Sequence, residues 1–197
     1  TPLLRACVAA GARETLVHGR RTGDGLAPAA GALYLADLSA LPKLLVAGRT
    51  ATEQLAALAL PVPGLMRKLD APDGAFVACR APRQFVIGVG RTATVPAGPL
   101  RFDGVDFALG GGHGADGVDD LLDEACPTDL AQFGADAYVP TLLFGVEVGL
   151  WRVASGHWRA IAAPADGEFL AATLLDAVQR RRGGLAGCSD YFAMITT

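Results

Sequence analysis

The sequence predicts an α+β fold made of two related strand-turn-helix units, each followed by a β-hairpin. Three observations lead there. The chain is 197 residues long and 51% hydrophobic, with a mean hydropathy of +0.34, so it can bury a sizeable core as one compact body or two small fused lobes. A shift of 66 residues lays Asp37 on Asp103, Gly48 on Gly114, Leu55 on Leu121, Ala59 on Ala125 and Pro61 on Pro127. These identities are few, but they sit where strands, turns and helices begin and end, as an internal repeat requires. Each helix-like stretch is followed by a pair of β-rich runs, which favours α+β over a repeating βαβ series.

The predicted boundaries are an N-terminal extension over 1–32, units over about 33–98 and 99–182, and a tail over 183–197. In the first unit, "LYLADLSALPKLLVAGRTATEQLAALALPVP" (33–63) reads as strand, turn and helix. Thr50 and Glu53 fit a capping box, with Thr50 accepting from a free helix N–H and Glu53 reaching back to the cap. Leu55, Leu58 and Ala59 give one apolar face, and Pro61 ends the helix. "GAFVACRAPRQFVIGVG" (74–90) follows as two β-rich runs, Phe76 to Cys79 and Phe85 to Val89, around the turn Ala81-Pro82-Arg83. The second unit repeats the pattern from "FALGGGHGADGVDDLLDEACP" (107–127), where Asp116 takes the place of Thr50 as N-cap and Asp119 that of Glu53. "PTLLFGVEVGLWRVASGHWRAIAAP" (140–164) predicts a longer strand pair around Ala154-Ser155-Gly156. "DGEFLAATLLDAVQRRR" (166–182) reads as an amphipathic helix with Phe169, Leu170, Leu174 and Val178 near one face, ended by Gly183-Gly184.

Charge and composition exclude several partners. A net charge of −3 and a pI near 5.5 supply no general attraction to nucleic acid or an anionic membrane. No apolar run approaches the ~18 residues of a bilayer span, and the opening "TPLLRACVAAGARETL" lacks the charged, apolar and cleavage regions of a signal peptide. A cytoplasmic protein is expected. Cys7, Cys79, Cys126 and Cys188 form no C-x-x-C pair and are expected to be buried thiols.

Gly112, Gly114 and Gly117 spell a G-x-G-x-x-G before a helix. A dinucleotide would lay its pyrophosphate on that helix N-terminus, but Asp116, Asp119 and Asp120 already complement the dipole there and would repel phosphate. Val118 and Asp119 stand where a P-loop needs Lys and Ser or Thr. The loop therefore reads as a flexible turn feeding an N-cap. His113 with Asp116 is too small a set for a metal site. His18 lies in a polar stretch and His157 at a hairpin turn, where a surface position is expected, and no G-x-S-x-G or Cys-His neighbourhood supplies a nucleophile. The carboxylates of "RFDGVDF" and "DGVDDLLDE" read as solvated, with an acid–base pair as the functional alternative. "QRRR" (179–182) complements a helix C-terminus or meets an acidic partner. Thus no catalytic, cofactor-binding or metal-ligating residue is assigned.

Several of these segments resemble the folate-binding aminomethyltransferase superfamily. "DLSALPKLLVAGRTATEQLAALALPVP" resembles its pattern of DLS, a basic residue, an apolar strand, glycine and helix. "LLDEACPTDL" (121–130) resembles the L-x-x-x-C-P-x-D-L segment of the gamma subunits of heterotetrameric sarcosine oxidases. Thr141 with "VEVGLWRV" (146–153) resembles their threonine-led strand ending in LWR, and "EFLAATLLDAV" their last helix. "APRQFVI" (81–87) stands where those proteins have an aromatic strand of the GPDEWL type, and Ala163-Pro164 where they have Arg-Ser. The resemblance implies a non-catalytic subunit of a flavin-dependent sarcosine or related N-methyl amine oxidoreductase. It would pack against a larger alpha-like subunit, with flavin, NAD and tetrahydrofolate bound in alpha- and beta-like partners and none in this chain. The apolar tail "GLAGCSDYFAMITT" would suit such an interface, or else fray as chain ends do. The alternative is a stand-alone folate- or one-carbon-binding protein, for which the acidic segment 103–129 would face the pterin.

Overall fold

The computed structural model describes residues 1–71, 75–97, 100–114 and 117–195. Among them a mixed α+β fold contains thirteen strands and five α-helices. The first unit supplies β3 (Tyr34–Asp37), β4 (Lys43–Ala47), α2 (Ala51–Ala57), β5 (Lys68–Asp70), β6 (Phe76–Ala81) and β7 (Gln84–Gly88). The second supplies β8 (Leu100–Phe102), β9 (Val105–Gly110), α3 (Val118–Ala125), β10 (Val139–Leu143), β11 (Val146–Ala154) and β12 (His157–Ala162). Helix α1 (Leu4–Ala9) and the hairpin of β1 (Arg13–Val17) and β2 (Arg20–Asp24) precede them. Helix α4 (Gly167–Arg180), strand β13 (Gly184–Ala186) and helix α5 (Cys188–Ile195) follow.

The sheet orders are β5-β6-β7-β4-β8 and β10-β11-β12-β9-β3-β13. In both, the three strands after the helix run to the second strand of the same unit and then to the first strand of the other. β3 and β8 are thus exchanged, and each sheet needs residues from both halves of the chain. All pairings are antiparallel except β13 on β3.

Four layers result. Ala51 and Leu55 of α2 pack on Leu44, Val46, Val77 and Ile87 of the five-stranded sheet. The other face of that sheet meets the six-stranded one through Phe76, Ala78 and Val86 against Tyr138, Trp151 and Ile161. The outer face of the six-stranded sheet carries α3 and α4, with Leu121, Leu122, Leu170, Leu174 and Val178 against Phe107, Leu109 and Leu150. Helix α5 covers one end of its inner face, where Tyr191 and Phe192 join Tyr34, Ala36 and Ala108. Strands covered on both faces need no polar alternation, and all six residues of β9 are buried.

Several local expectations are corrected. The stretch read as one strand before α2 is two, β3 and β4, in different sheets. β5 was not foreseen, and 140–164 forms three strands rather than two. The additional turn is Phe144-Gly145, with φ of 51° and 82°, the conformation that matches strand twist in a two-residue hairpin loop. It pairs Leu143 with Val146 and Pro140 with Gly149. By alternation Pro140 falls at a non-hydrogen-bonded position of this edge strand, where its missing N–H costs no ladder bond. The capping box at Thr50 does not form: its hydroxyl accepts from the Gln54 side-chain amide at 3.0 Å. Asp116 lies outside the described residues.

Pro61 does not end α2. The helix closes four residues earlier, with Ala59 N–H donating to Ala56 and Leu60 N–H to Leu55 at 3.0 Å each, while Ala59 sits at φ 54°. This is the Schellman arrangement with alanine where glycine is favoured. Ala59→Gly is expected to stabilise the protein by about 0.5–1 kcal/mol, because glycine removes the left-handed penalty of a Cβ. A higher urea midpoint would show it, and an unchanged or lower midpoint would refute it. Helix α4 ends the same way on Arg182 at φ 57° rather than on Gly183-Gly184. Phe169 of α4 is 59% exposed and faces away from the core.

Candidate functional site

The most concentrated polar chemistry lies buried between the sheets. Asp106 of β9, Arg159 of β12 and Lys43 of β4 are each at most 3% exposed. Arg159 donates to Asp106 from Nε at 3.3 Å and from Nη2 at 2.5 Å. Lys43 Nζ stands 3.6 Å from the same carboxylate and donates to the carbonyls of Leu38 and Leu41 at 3.3 and 2.8 Å. The guanidinium of Arg159 lies 5.0 and 5.2 Å from the ring centres of Phe76 and Trp151, a cation–π geometry. Asp106 had been read as solvated. Burial on both faces of β9 reverses that, and charge pairing is what a buried carboxylate then requires.

The cluster has two cations for one anion at its centre. Burial lowers the Lys43 pKa to about 8, partly opposed by Asp106. Between pH 8 and the ordinary lysine range the unfolded chain binds more protons than the folded one, so this group makes stability rise with pH across that window; below it the full burial penalty remains. Lys43→Met should abolish the effect. Wild type is expected to gain about 1–3 kcal/mol on the variant between pH 7 and 10 in urea unfolding; a constant difference would exclude this origin.

The glycine loop borders an open groove of about 630 Å³. Gly112 and Gly114 have φ of 71° and 57°. Four amides that a phosphate would need are occupied: Gly111 N–H donates to Gly156, Gly112 to Gly31, Gly117 to Gly114 and Val118 to Gly111. The Asp119 carboxylate accepts from the Trp158 indole at 2.8 Å. β9 enters this loop from between antiparallel neighbours, whereas the dinucleotide fold uses a parallel crossover. These bonds tie the loop to the β11–β12 turn, to the chain before β3 and to the start of α3.

His157 is half-buried rather than at the surface. Its Nδ1 is 2.6 Å from the Tyr34 hydroxyl, and burial lowers its pKa. His18 Nε2 reaches the Gly90 carbonyl at 3.0 Å. His113 is exposed, and among the described residues no group of three His, Cys, Asp or Glu side chains could hold a metal ion. Arg181 pairs with Glu124 and Arg180 with Asp176 at 2.8 Å. All four cysteines are buried free thiols. Burial pushes Cys7 up to about 11 and Cys188 up to about 12, the opposite of a nucleophile. The tail is docked through Gly184–Ala186 and Cys188–Ile195, and its two aromatic rings are buried in the chain's own core.

The residues that carried the family resemblance prove to be structural punctuation. Asp37 accepts the N–H groups of Leu3 and Ser39, and the Ser39 hydroxyl accepts from Asp106 N–H at 3.0 Å. Thr141 Oγ1 lies 3.1 Å from Cys126 Sγ and 2.7 Å from Thr128 Oγ1, tying the end of α3 to β10. Asp129 receives the N–H of Ala131 at 3.1 Å. Trp151 fills the inter-sheet core against Phe76, 4.7 Å away between ring centres, and Tyr138, 5.9 Å away.

A cleft of about 840 Å³ lies at the β10–β11 end of the six-stranded sheet. Ile161 and Gly149 floor it, Tyr138 and Phe102 wall it, and Arg80, Glu147 and Asp166 bring charge to it. The Tyr138 hydroxyl lies so close over Gly149 that a Cβ there would overlap it.

No protein-family model and no curated protein matches the sequence. Solved structures do match the fold. A chain of the heterotetrameric sarcosine oxidase from Corynebacterium sp. U-96, solved with pyrrole 2-carboxylate, superposes with a TM-score of 0.64 at 21% identity over 91% of this chain and 92% of that one. The glycine cleavage system aminomethyltransferase T from Bartonella henselae superposes with a TM-score of 0.63 at 15% identity over 96% of this chain, which spans 60% of the length of that enzyme. The chain therefore has an aminomethyltransferase-like fold, shared with a chain of a heterotetrameric sarcosine oxidase.

Proposed function

We propose that the protein is a non-catalytic, gamma-like companion subunit of a flavin-dependent sarcosine or related N-methyl amine oxidoreductase. Flavin, NAD and tetrahydrofolate would be bound by its larger partners. The observation that carries this reading is the end-to-end likeness to a chain of a heterotetrameric oxidase, nearly complete for both chains. Local chemistry agrees: the two buried carboxylates among the described residues are engaged, Asp37 by backbone amides and Asp106 by Arg159 and Lys43.

The second reading, a stand-alone folate-binding protein, draws on the 840 Å³ cleft. The carboxylates that line it are the exposed Glu147 and Asp166, whereas the buried Asp37 and Asp106 lie outside it and are already engaged. A tagged chain drawn from its native cells at low salt tests the first reading. Larger subunits in fixed stoichiometry with a yellow flavin spectrum support it. A colourless monomer that binds reduced folate would replace it with the second.

A further inference from the structure

Strand β9 ends where a glycine lets two side chains meet above the sheet. Tyr34 of β3 and His157 of β12 both pair with Gly110, and a Cβ there would overlap the imidazole Nδ1 and the phenol oxygen. Without one, the Tyr34 hydroxyl and His157 Nδ1 approach to 2.6 Å across β9. Tyr34 is 2% exposed, so its hydroxyl hydrogen needs an acceptor, and Nδ1 is the one it meets among the described residues. The phenol therefore donates, and the neutral imidazole carries its own hydrogen on Nε2. Burial favours both neutral forms: it raises the Tyr34 pKa, with Tyr191 adding to the rise, and lowers that of His157.

The pair lies under the tail helix. The Tyr191 ring of α5 stands edge-on to Tyr34 with ring centres 6.4 Å apart, and Met194 borders the groove that His157 lines. Tyr191 is fully buried, and its hydroxyl has no partner among the described residues. The start of α5 is tied down by side chains, since Asp24 accepts from Ser189 N–H at 3.0 Å and Asp190 accepts from Leu26 N–H at 2.8 Å. The charged groups near His157 are turned elsewhere or stand at the groove margin. Arg159 on the same strand donates to Asp106, Arg152 of β11 lies over the Trp158 ring, and Asp119 of α3 accepts from Trp158. His113 and Asp120 border the groove and are exposed, and β3 and β9 bring Tyr34 and Gly110 to the imidazole.

We propose that the Tyr34–His157 hydrogen bond is an acid-sensitive latch on the tail helix. A proton taken up at Nδ1 turns that nitrogen from acceptor into donor, and the phenol hydrogen loses its acceptor. Two buried phenols, Tyr34 and Tyr191, then stand without acceptors beneath α5. An outward swing of α5 beyond its tied start lets both hydroxyls reach water and uncovers Ala36 and Ala108 on the inner sheet face. The sign follows from linkage. With the docked His157 below its ordinary value of 6.5, the docked state binds fewer protons than the open one as pH falls below that value, so docking weakens toward acid. The latch acts within this chain, whether it serves as a companion subunit or binds folate alone.

Amide hydrogen exchange of the full chain, followed by NMR at about pH 7.5 and pH 5 and corrected for intrinsic rates, tests the latch. In wild type the open state of Tyr191 to Ile195 should become about tenfold more populated at the lower pH, the effect of stranding a buried hydroxyl, while Ala171 to Val178 of α4 hold steady. His157→Asn keeps an acceptor near the Nδ1 position and cannot titrate, so its α5 exchange should not respond to pH; its melting temperature checks that it folds. An equal rise in wild type and folded His157→Asn, a rise shared by α4, or no rise in wild type overturns the latch. The imidazole nitrogen shifts of wild type give a check that needs no variant. A hydrogen on Nε2 and none on Nδ1 is expected at neutral pH, and the opposite tautomer would show that the phenol is not the donor, which also overturns the proposal.

Discussion

Asp106→Asn is expected to destabilise the protein by about 3–5 kcal/mol, because it removes the buried carboxylate and leaves cationic Arg159 and Lys43 without their common counter-ion. Against a typical total of about 5–15 kcal/mol, a loss of this size removes a large share of the stability. For a protein of this length it corresponds to a melting temperature lower by roughly 6–20 °C. The double variant Asp106→Asn with Lys43→Met should recover part of the loss, since it removes one of the stranded cations. A melting temperature for Asp106→Asn within a degree or two of wild type would mean that the three charges are solvated in solution and that the buried cluster is misassigned.

Trp151→Ala is expected to cost about 3–5 kcal/mol by emptying the junction of the two sheets. The indole is 1% exposed, lies between Phe76 and Tyr138, and lies under the Arg159 guanidinium. Packing is the cause, since the indole N–H has no hydrogen-bond partner among the described residues. Trp151→Phe keeps an aromatic ring and deletes that unpaired donor, so it should cost clearly less than the alanine change. Equal losses for the two variants, measured by urea unfolding, would show that ring packing is not what this position contributes.

Local pattern was legible where one element decides its own fate. The period of α4 was readable, although Phe169 was placed on the wrong face, because adjacent residues of a helix differ by about 100° and periodicity alone does not say which edge of the apolar arc is covered. The hairpin of β6 and β7 was readable from two β-rich runs around the turn at Ala81-Pro82-Arg83. The loop at Phe144-Gly145 was not, because a two-residue turn inside a continuous apolar run carries one glycine as its only signal. Helix ends were misplaced for a related reason. Ala59 and Arg182 take left-handed backbone that favours glycine, and only the surrounding hydrogen bonds reveal that they do.

The site was legible in one sense and hidden in another. Sequence reasoning found the DLS and CP-x-D-L segments and the threonine before LWR, and their recurrence with the right order is what pointed to the fold. It did not find Asp106, Arg159 and Lys43 as a group, because residues 63 and 53 positions apart share no local pattern. A mid-strand Asp in an otherwise apolar run, "VDFALG", was the one available signal of a buried charge.

By itself the sequence determined that a sizeable core can be buried, that the net charge is −3 and that a helix followed by β-strands recurs in both units. Each of these depends on composition or on contacts between near neighbours. The tertiary structure alone decided that the first strands exchange between sheets and that the tail covers one end of the inner sheet face while the other end stays open. It also brought three distant charges into one buried cluster. Such facts are pairings between residues far apart in the chain, whose partner is selected by the shape and polarity of the whole core rather than by any local preference.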